Sequence, residues 1–328
     1  MPDNQLISSK KKAIAAVDLG TNNCRMLIAL ADNKNFSVVD SFSRITRLGE
    51  GVAGTKKLSS AAIERTIDAL RVCAVKMKKH NVVLARNVTT EACRRAENCS
   101  YFINRVRKET GIDLEIISPE EEAKLALSGC KSLINPKIKY TIVFDIGGGS
   151  TEVIFVSTDK LGKPFIQDFI SMPLGVITVS EDCGGGELLD RSYNEILEKV
   201  KFLLSDFNKR NCIASKLSQN QTQMIGVSGT VTTLGGLKLN LIKYDRKAVD
   251  GTTLLFDDIR SQSLELRQMD LATRASKPCI GWQRADLLLG GCAILEGICS
   301  MWPVGALKIA DRGLREGILK GLVENINY

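Results

Sequence analysis

The stretch that decides the fold is Val143-Phe144-Asp145-Ile146-Gly147-Gly148-Gly149-Ser150-Thr151-Glu152-Val153-Ile154-Phe155. An apolar run ends in an aspartate, three glycines and two hydroxyl residues follow, and a second apolar run begins at once. That pattern predicts two strands joined by a tight turn. Glycine lets the chain turn sharply and removes the Cβ that would keep a ligand off the backbone. Successive N–H groups in such a turn converge on one point and favour an anion. The same grammar occurs earlier, at Val17-Asp18-Leu19-Gly20-Thr21-Asn22-Asn23-Cys24-Arg25. There Arg25 adds a cationic fork to the backbone donors of residues 21–24.

Each turn heads a three-strand unit. Strands are predicted at residues 13–18, 25–30 and 36–42, and again at 140–145, 151–156 and 164–170. Helices follow both units, with a long one expected at 59–79 and another at 188–207. A third turn, Ser228-Gly229-Thr230, ends a strand at 223–227 where a helix begins, a further place for an anion. One such turn alone reads equally well as a plain β-turn or an N-cap. Matched position and context argue for an internal repeat: two similar α/β units facing each other across a cleft. Residues 1–12 read as a loose polar arm.

Composition narrows the chemistry. The chain has 328 residues, 44% hydrophobic and 25% charged, which suits about two soluble domains. Aromatic residues are 5%, so platforms for stacking bases or sugars are scarce. The net charge of +8 suits a polyanionic partner or simply a lysine-rich surface. One histidine, His80, excludes a histidine-rich metal site, and the ten cysteines show neither CxxC pairs nor zinc spacing. They read as free thiols of a reducing cytoplasm. No apolar run approaches the length of a membrane span.

Asp18 and Asp145 either cap their turns or approach phosphates through a cation such as Mg²⁺; Glu152 either completes that cation site or faces solvent from its strand. A base for attack by water is sought among the carboxylates, because His80 sits at the polar end of a helix. In Ser118-Pro119-Glu120-Glu121-Glu122, Ser118 fits the N-cap and Pro119 the first helical position. Glu121 then fits the capping box and Glu120 the helix dipole. Glu122 has no capping role and lies near the junction of the two halves. It is either a surface glutamate or a residue reaching into the cleft.

Taken together, the motifs resemble the exopolyphosphatase/guanosine pentaphosphate phosphohydrolase (Ppx/GppA) family of the actin-like, ribonuclease H-like superfamily. The residues that carry the resemblance are AAVDLGTNNCRMLIA (15–29), TTEACRRAEN (89–98), EIISPEEEAKLA (115–126), VFDIGGGSTEVIF (143–155), MPLGVITVSE (172–181), GVSGTVTTLGGL (226–237), RADLLLGGCAIL (284–295) and ADRGLREGIL (310–319). They run in order over nearly the whole chain from residue 13.

The resemblance implies two actin-like domains, residues 13–125 plus 312–328 and residues 126–311, with the active site in the interdomain cleft. It implies hydrolysis of the terminal phosphate of inorganic polyphosphate, or of pppGpp, with Mg²⁺. Glu122 falls on the family's general base. Asp145 and Glu152 fall on the acids expected to hold the metal or order the water. Arg94 falls on a phosphate contact. Gly20, Thr21, Asn22, Asn23, Cys24 and Arg25, then Gly147, Gly148, Gly149, Ser150 and Thr151, then Ser228, Gly229 and Thr230, are the expected phosphate grips.

The chain departs from the family at Thr21, Asn23 and Cys24, where serine is frequent, and its end at Tyr328 leaves out the C-terminal domains of long members. A homodimer is expected from the resemblance alone; nucleic acid and membrane are not expected partners. A non-catalytic sensor of polyphosphate or nucleotide, and a kinase of the same superfamily, are the competing readings.

Overall fold

The computed structural model describes residues 11–32, 35–184, 187–217 and 221–326. Residues 1–10 of the expected arm lie outside these residues; Lys11 is described, and Lys12 already belongs to the first strand. The first half runs β1 (Lys12–Leu19), β2 (Asn23–Asp32), β3 (Asn35–Ile45), α1 (Val52–Thr55), α2 (Ser60–Lys79), β4 (Leu84–Thr89), α3 (Glu91–Arg95), α4 (Cys99–Thr110), β5 (Glu115–Ile116) and α5 (Pro119–Cys130). The second half opens with β6 (Tyr140–Ile146), β7 (Thr151–Thr158), β8 (Pro164–Met172), α6 (Val176–Asp182), α7 (Asp190–Asn211), α8 (Ile213–Leu217), β9 (Thr222–Ser228) and α9 (Gly229–Lys238). It ends with α10 (Arg246–Val249), β10 (Thr253–Leu255), α11 (Phe256–Arg267), α12 (Leu271–Ser276), α13 (Trp282–Met301), β11 (Ala306–Ala310) and α14 (Leu314–Ile326).

The repeat is real in three dimensions. The first sheet has the order β3-β2-β1-β4-β5 and the second β10-β11-β9-β6-β7-β8. In both, the leading three strands form an antiparallel meander, because their links are short enough for hairpins. In both, the next strand joins parallel to the first after a helical crossover: β4 beside β1, β9 beside β6. Loops Gly20–Asn22 and Gly147–Ser150 therefore occupy equivalent corners.

The two sheets exchange a helix. Ala123, Ala126, Leu127 and Cys130 of α5 pack on Val143, Ile154, Val156 and Ile225 of the second sheet. Leu314, Ile318, Leu319 and Leu322 of α14 pack on Ile14, Ala16, Leu27 and Ala29 of the first. The opposite face of the first sheet is covered by α2 and α4, through residues such as Ile67, Leu70, Phe102 and Val106. The second sheet's other face carries α7, α9 and the α13 helix, which is apolar on nearly all sides and correspondingly buried.

Where α5 and α14 cross, their backbones touch. A Cβ on Gly129 would lie 1.9 Å from the carbonyl oxygen of Gly313, and one on Gly317 would lie 2.0 Å from that of Leu125. Only glycine permits this approach. All ten cysteines are free, and among the described residues no helix is long and apolar enough to cross a membrane.

Candidate active site

A cleft of about 450 Å³ opens between the two sheets. The two glycine loops meet at its floor. Cβ atoms on Gly148 and Gly149 would fall 3.0 Å from the Asn22 nitrogen and 2.9 Å from Thr21 Oγ1. Each loop's carbonyls are tied to its own half. Thr21 O accepts from the Gly49 amide, and Asn22 O accepts from the amides of Thr46 and Arg47. Gly147 O and Gly148 O accept from the Val176 and Ile177 amides at the start of α6. A peptide plane holds its C=O and N–H in opposite directions. The amides of Asn22 and Asn23, and those of Gly148 and Gly149, therefore turn away from these partners, and all four residues line the cleft.

Ser228, Gly229 and Thr230 close the far wall. Ser228 serves as N-cap of α9, its Oγ accepting from the Val231 amide at 3.0 Å, so Ser228 caps a helix and faces the cleft at once.

Four carboxylates line the same cleft: Asp18, Asp145, Glu122 and Asp311, the last engaged by Tyr244 and Arg246. Burial pushes Asp145 up to about 8, aided by the neighbouring charges of Glu152 and Asp18 and opposed by Arg25. Asp18 is raised too, first by burial. Glu122 sits well above the ordinary carboxylate range, first through burial and then through Glu152, while Arg94 opposes the shift. Arg94 donates to Glu122 Oε2 at 2.9 Å, to Glu91 Oε2 at 3.1 Å and to the Ile117 carbonyl at 2.8 Å.

Four of the expected contacts do not reach the cleft wall. Arg94 is clasped by two glutamates instead of facing the cavity, because the first turn of α3 brings Glu91 against it. Cys24 points into the core with Met26 and Cys73 on the α2 side of its strand. Thr151 turns its hydroxyl to the Leu174 carbonyl at 2.6 Å. Glu152 lies behind Asp145, its strand neighbour, with Oε1 accepting from Ser150 Oγ at 2.7 Å and Ser171 Oγ at 2.8 Å. The capping box at α5 is half made: Ser118 accepts from the Glu121 amide, but the Glu121 carboxylate pairs with Arg86.

The cleft also holds arginines that spacing alone does not single out: Arg246, Arg284, Arg312 and Arg315 join Arg25. Arg246 and Arg312 are paired, with Glu316 and Asp250. Among the described residues, Arg25, Arg284 and Arg315 have no acidic partner or hydrogen bond. Burial, then the charge of Arg25, disfavours the charged form of Arg284. Burial disfavours that of Arg315 as well; Glu316 offsets this, and Arg25 adds to it. Arg284 and Arg315 head the segments RADLLLGG and REGIL, which carry the family resemblance without marking a role. Cations converging without ion pairs in a partly buried site make it a trap for a polyanion.

Residues 27–326 match the Ppx/GppA phosphatase family, and the chain belongs to it. A guanosine-5′-triphosphate,3′-diphosphate pyrophosphatase of Aeromonas salmonicida is 28% identical, over 95% of this chain and 59% of its own length. Exopolyphosphatase 2 of Mycobacterium tuberculosis is 27% identical over 94% of this chain and 98% of its own. The chain thus spans less than two thirds of the first relative and nearly all of the second. The crystal structure of the Aquifex aeolicus Ppx/GppA family member superposes with a TM-score of 0.76 at 28% identity, covering 97% of this chain and 99% of that one.

Proposed function

We propose that this chain hydrolyses a phosphoanhydride, removing the terminal phosphate of inorganic polyphosphate by attack of a water that Glu122 orients and deprotonates. The observation that carries the reading is the meeting, in one cleft, of three arginines without an ion pair among the described residues and a largely buried glutamate held by Arg94. The arginines and the loop amides bind and orient the phosphates. A carboxylate whose titration is raised is a stronger base, once ionised, than an ordinary one.

Mg²⁺ fits the cleft. Asp18 and Asp145 line it without a hydrogen bond or ion pair among the described residues, and burial outweighs the nearby arginine charges that favour their ionised forms. No group of three or more acidic, histidine or cysteine ligands converges among those residues, so phosphate and water oxygens would complete the shell, as magnesium prefers. Asp18 and Asp145 are the residues that would hold it; Glu152 is engaged by its two serines. The ion would neutralise charge on the phosphates.

The two units are taken as residues 13–125 plus 312–328 and 126–311, joined at the α5–α14 crossing. Phosphate release from polyphosphate, pppGpp and ATP, with and without Mg²⁺, tests the reading. Glu122→Gln is expected to lower kcat by roughly 10²- to 10⁴-fold; unchanged turnover would remove Glu122 as the base. Polyphosphate is placed first because Tyr244 is the one aromatic on the cleft wall among the described residues, and its hydroxyl is engaged by Asp311 at 2.5 Å.

A further inference from the structure

The cleft does not end at the glycine loops. It continues over the first sheet, along Arg25, Leu27, Ser41 and Ser43, with Arg315 opposite. Strand register explains the alignment. Asp18 lies beside Arg25, and Arg25 beside Ser43. One pleat further, Leu27 lies beside Ser41. Side chains two apart on a strand share a face, so Arg25, Ser43, Leu27 and Ser41 form one patch. Ser43 stands two strand spacings from Asp18, about 9.5 Å, which is more than a single phosphate group spans.

The chemistry of this arm differs from that of the floor. Arg25 and Arg315 bring cations without acidic partners, and no hydrogen bond within the described residues engages the Ser41 or Ser43 hydroxyl. The nearby Asp40 carboxylate is taken up by Lys76 and His80 of the α2 segment. The arm therefore offers guanidinium and hydroxyl donors, with no carboxylate among the described residues lining it beyond Asp18 at its inner end.

We propose that this arm is a second phosphate subsite, which holds the phosphates of the substrate remote from the one that reacts. The inference rests on the reading of the cleft as a phosphoanhydride site and adds a length requirement to it. Two sources supply the same chemistry: the tail of a polyphosphate chain, or the 3′-diphosphate of pppGpp.

Both serines are exposed, so Ser41→Asp/Ser43→Asp introduces charge without disturbing a core. Ser37→Asp, on the same strand but outside the cleft, controls for net charge. In the double variant, kcat/KM for long-chain polyphosphate relative to tripolyphosphate should fall about tenfold or more, since like charges juxtaposed across an interface are strongly unfavourable. A fall in pppGpp relative to GTP, with the polyphosphate ratio unmoved, assigns the arm to the 3′-diphosphate.

If both ratios match those of the wild type and of Ser37→Asp, the subsite does not exist. Calorimetric binding of tripolyphosphate and long-chain polyphosphate reads the same preference without turnover. A preference for long chains that the double variant abolishes supports the subsite even in a protein that releases no phosphate. Equal affinity of the wild type for both polyphosphate lengths, together with equal affinity for pppGpp and GTP, overturns it.

Discussion

Arg94 donates to Glu122 Oε2 at 2.9 Å, in a pose braced by Glu91 and the Ile117 carbonyl. An arginine that looks from sequence like a phosphate contact is, in the folded chain, the counter-ion of the proposed base.

Arg94→Met removes the charge that favours ionised Glu122. Glu122 must be ionised to accept a proton, so activity is present above its titration and lost as pH falls through it. Without Arg94 that acid limb should move to higher pH by about one unit or more. Initial rates of phosphate release across the pH range check this. A raised KM with an unmoved limb would instead make Arg94 a phosphate ligand.

Asp145→Asn should stabilise the ligand-free protein while abolishing most activity. The folded-state titration of Asp145 is raised to about 8 from an ordinary 3.8. Its buried charge therefore costs nothing below about pH 4, and the cost grows as pH rises toward 8. Melting temperatures without Mg²⁺ should differ little between variant and wild type at pH 4 and clearly at pH 8, by about 2–4 °C per kcal/mol. Equal melting at pH 8 would show that the carboxylate is not strained by burial.

Arg284→Met should divide binding from stability in the same way. It removes a cation disfavoured by burial and by Arg25, so the melting temperature should hold or rise. Loss of a charged hydrogen bond to phosphate, about 1.5–3 kcal/mol, should raise KM by roughly tenfold or more, with the smaller effect on kcat. Unchanged KM would place the substrate elsewhere in the cleft.

The helix crossing makes a paired prediction on α14. Gly317→Ala puts a methyl 2.0 Å from the Leu125 carbonyl oxygen and should cost about 1–3 kcal/mol by overpacking. Gly321→Ala, one turn on, meets nothing within 4 Å and should stabilise by about 0.5–1 kcal/mol, because alanine loses less chain entropy in a helix. Denaturant titrations of the two variants should shift in opposite directions.

Much of the molecule was legible because its signals are local. The Asp-x-Gly turns follow from the few residues around Asp18 and Asp145, and the repeated meander follows from strand lengths and short links. Ser59 and Ser118 mark the starts of α2 and α5 by the capping bonds they make. The short elements α6, α10, α12 and β10 were not foreseen, since so few residues carry little periodicity.

Contacts across the fold were another matter. Whether Arg94 meets phosphate or Glu122 depends on α3 and α5 lying together, 28 residues apart in the chain. Glu152 looks like a metal ligand beside Asp145, yet serines on either side of it hold its oxygen in the interior. Arg25, Arg284 and Arg315 gain meaning from what is missing around them, and no sequence pattern reports the absence of a partner.

The sequence by itself determined the two glycine turns, the α/β repeat they head and the placement of Glu122 past its helix cap, because backbone conformation and capping are decided within a few residues. Only the tertiary structure decided which carboxylates face the cleft, which arginines there have no ion pair among the described residues, and that the cleft runs on over Ser41 and Ser43. Those facts depend on burial and on charges brought together from distant parts of the chain.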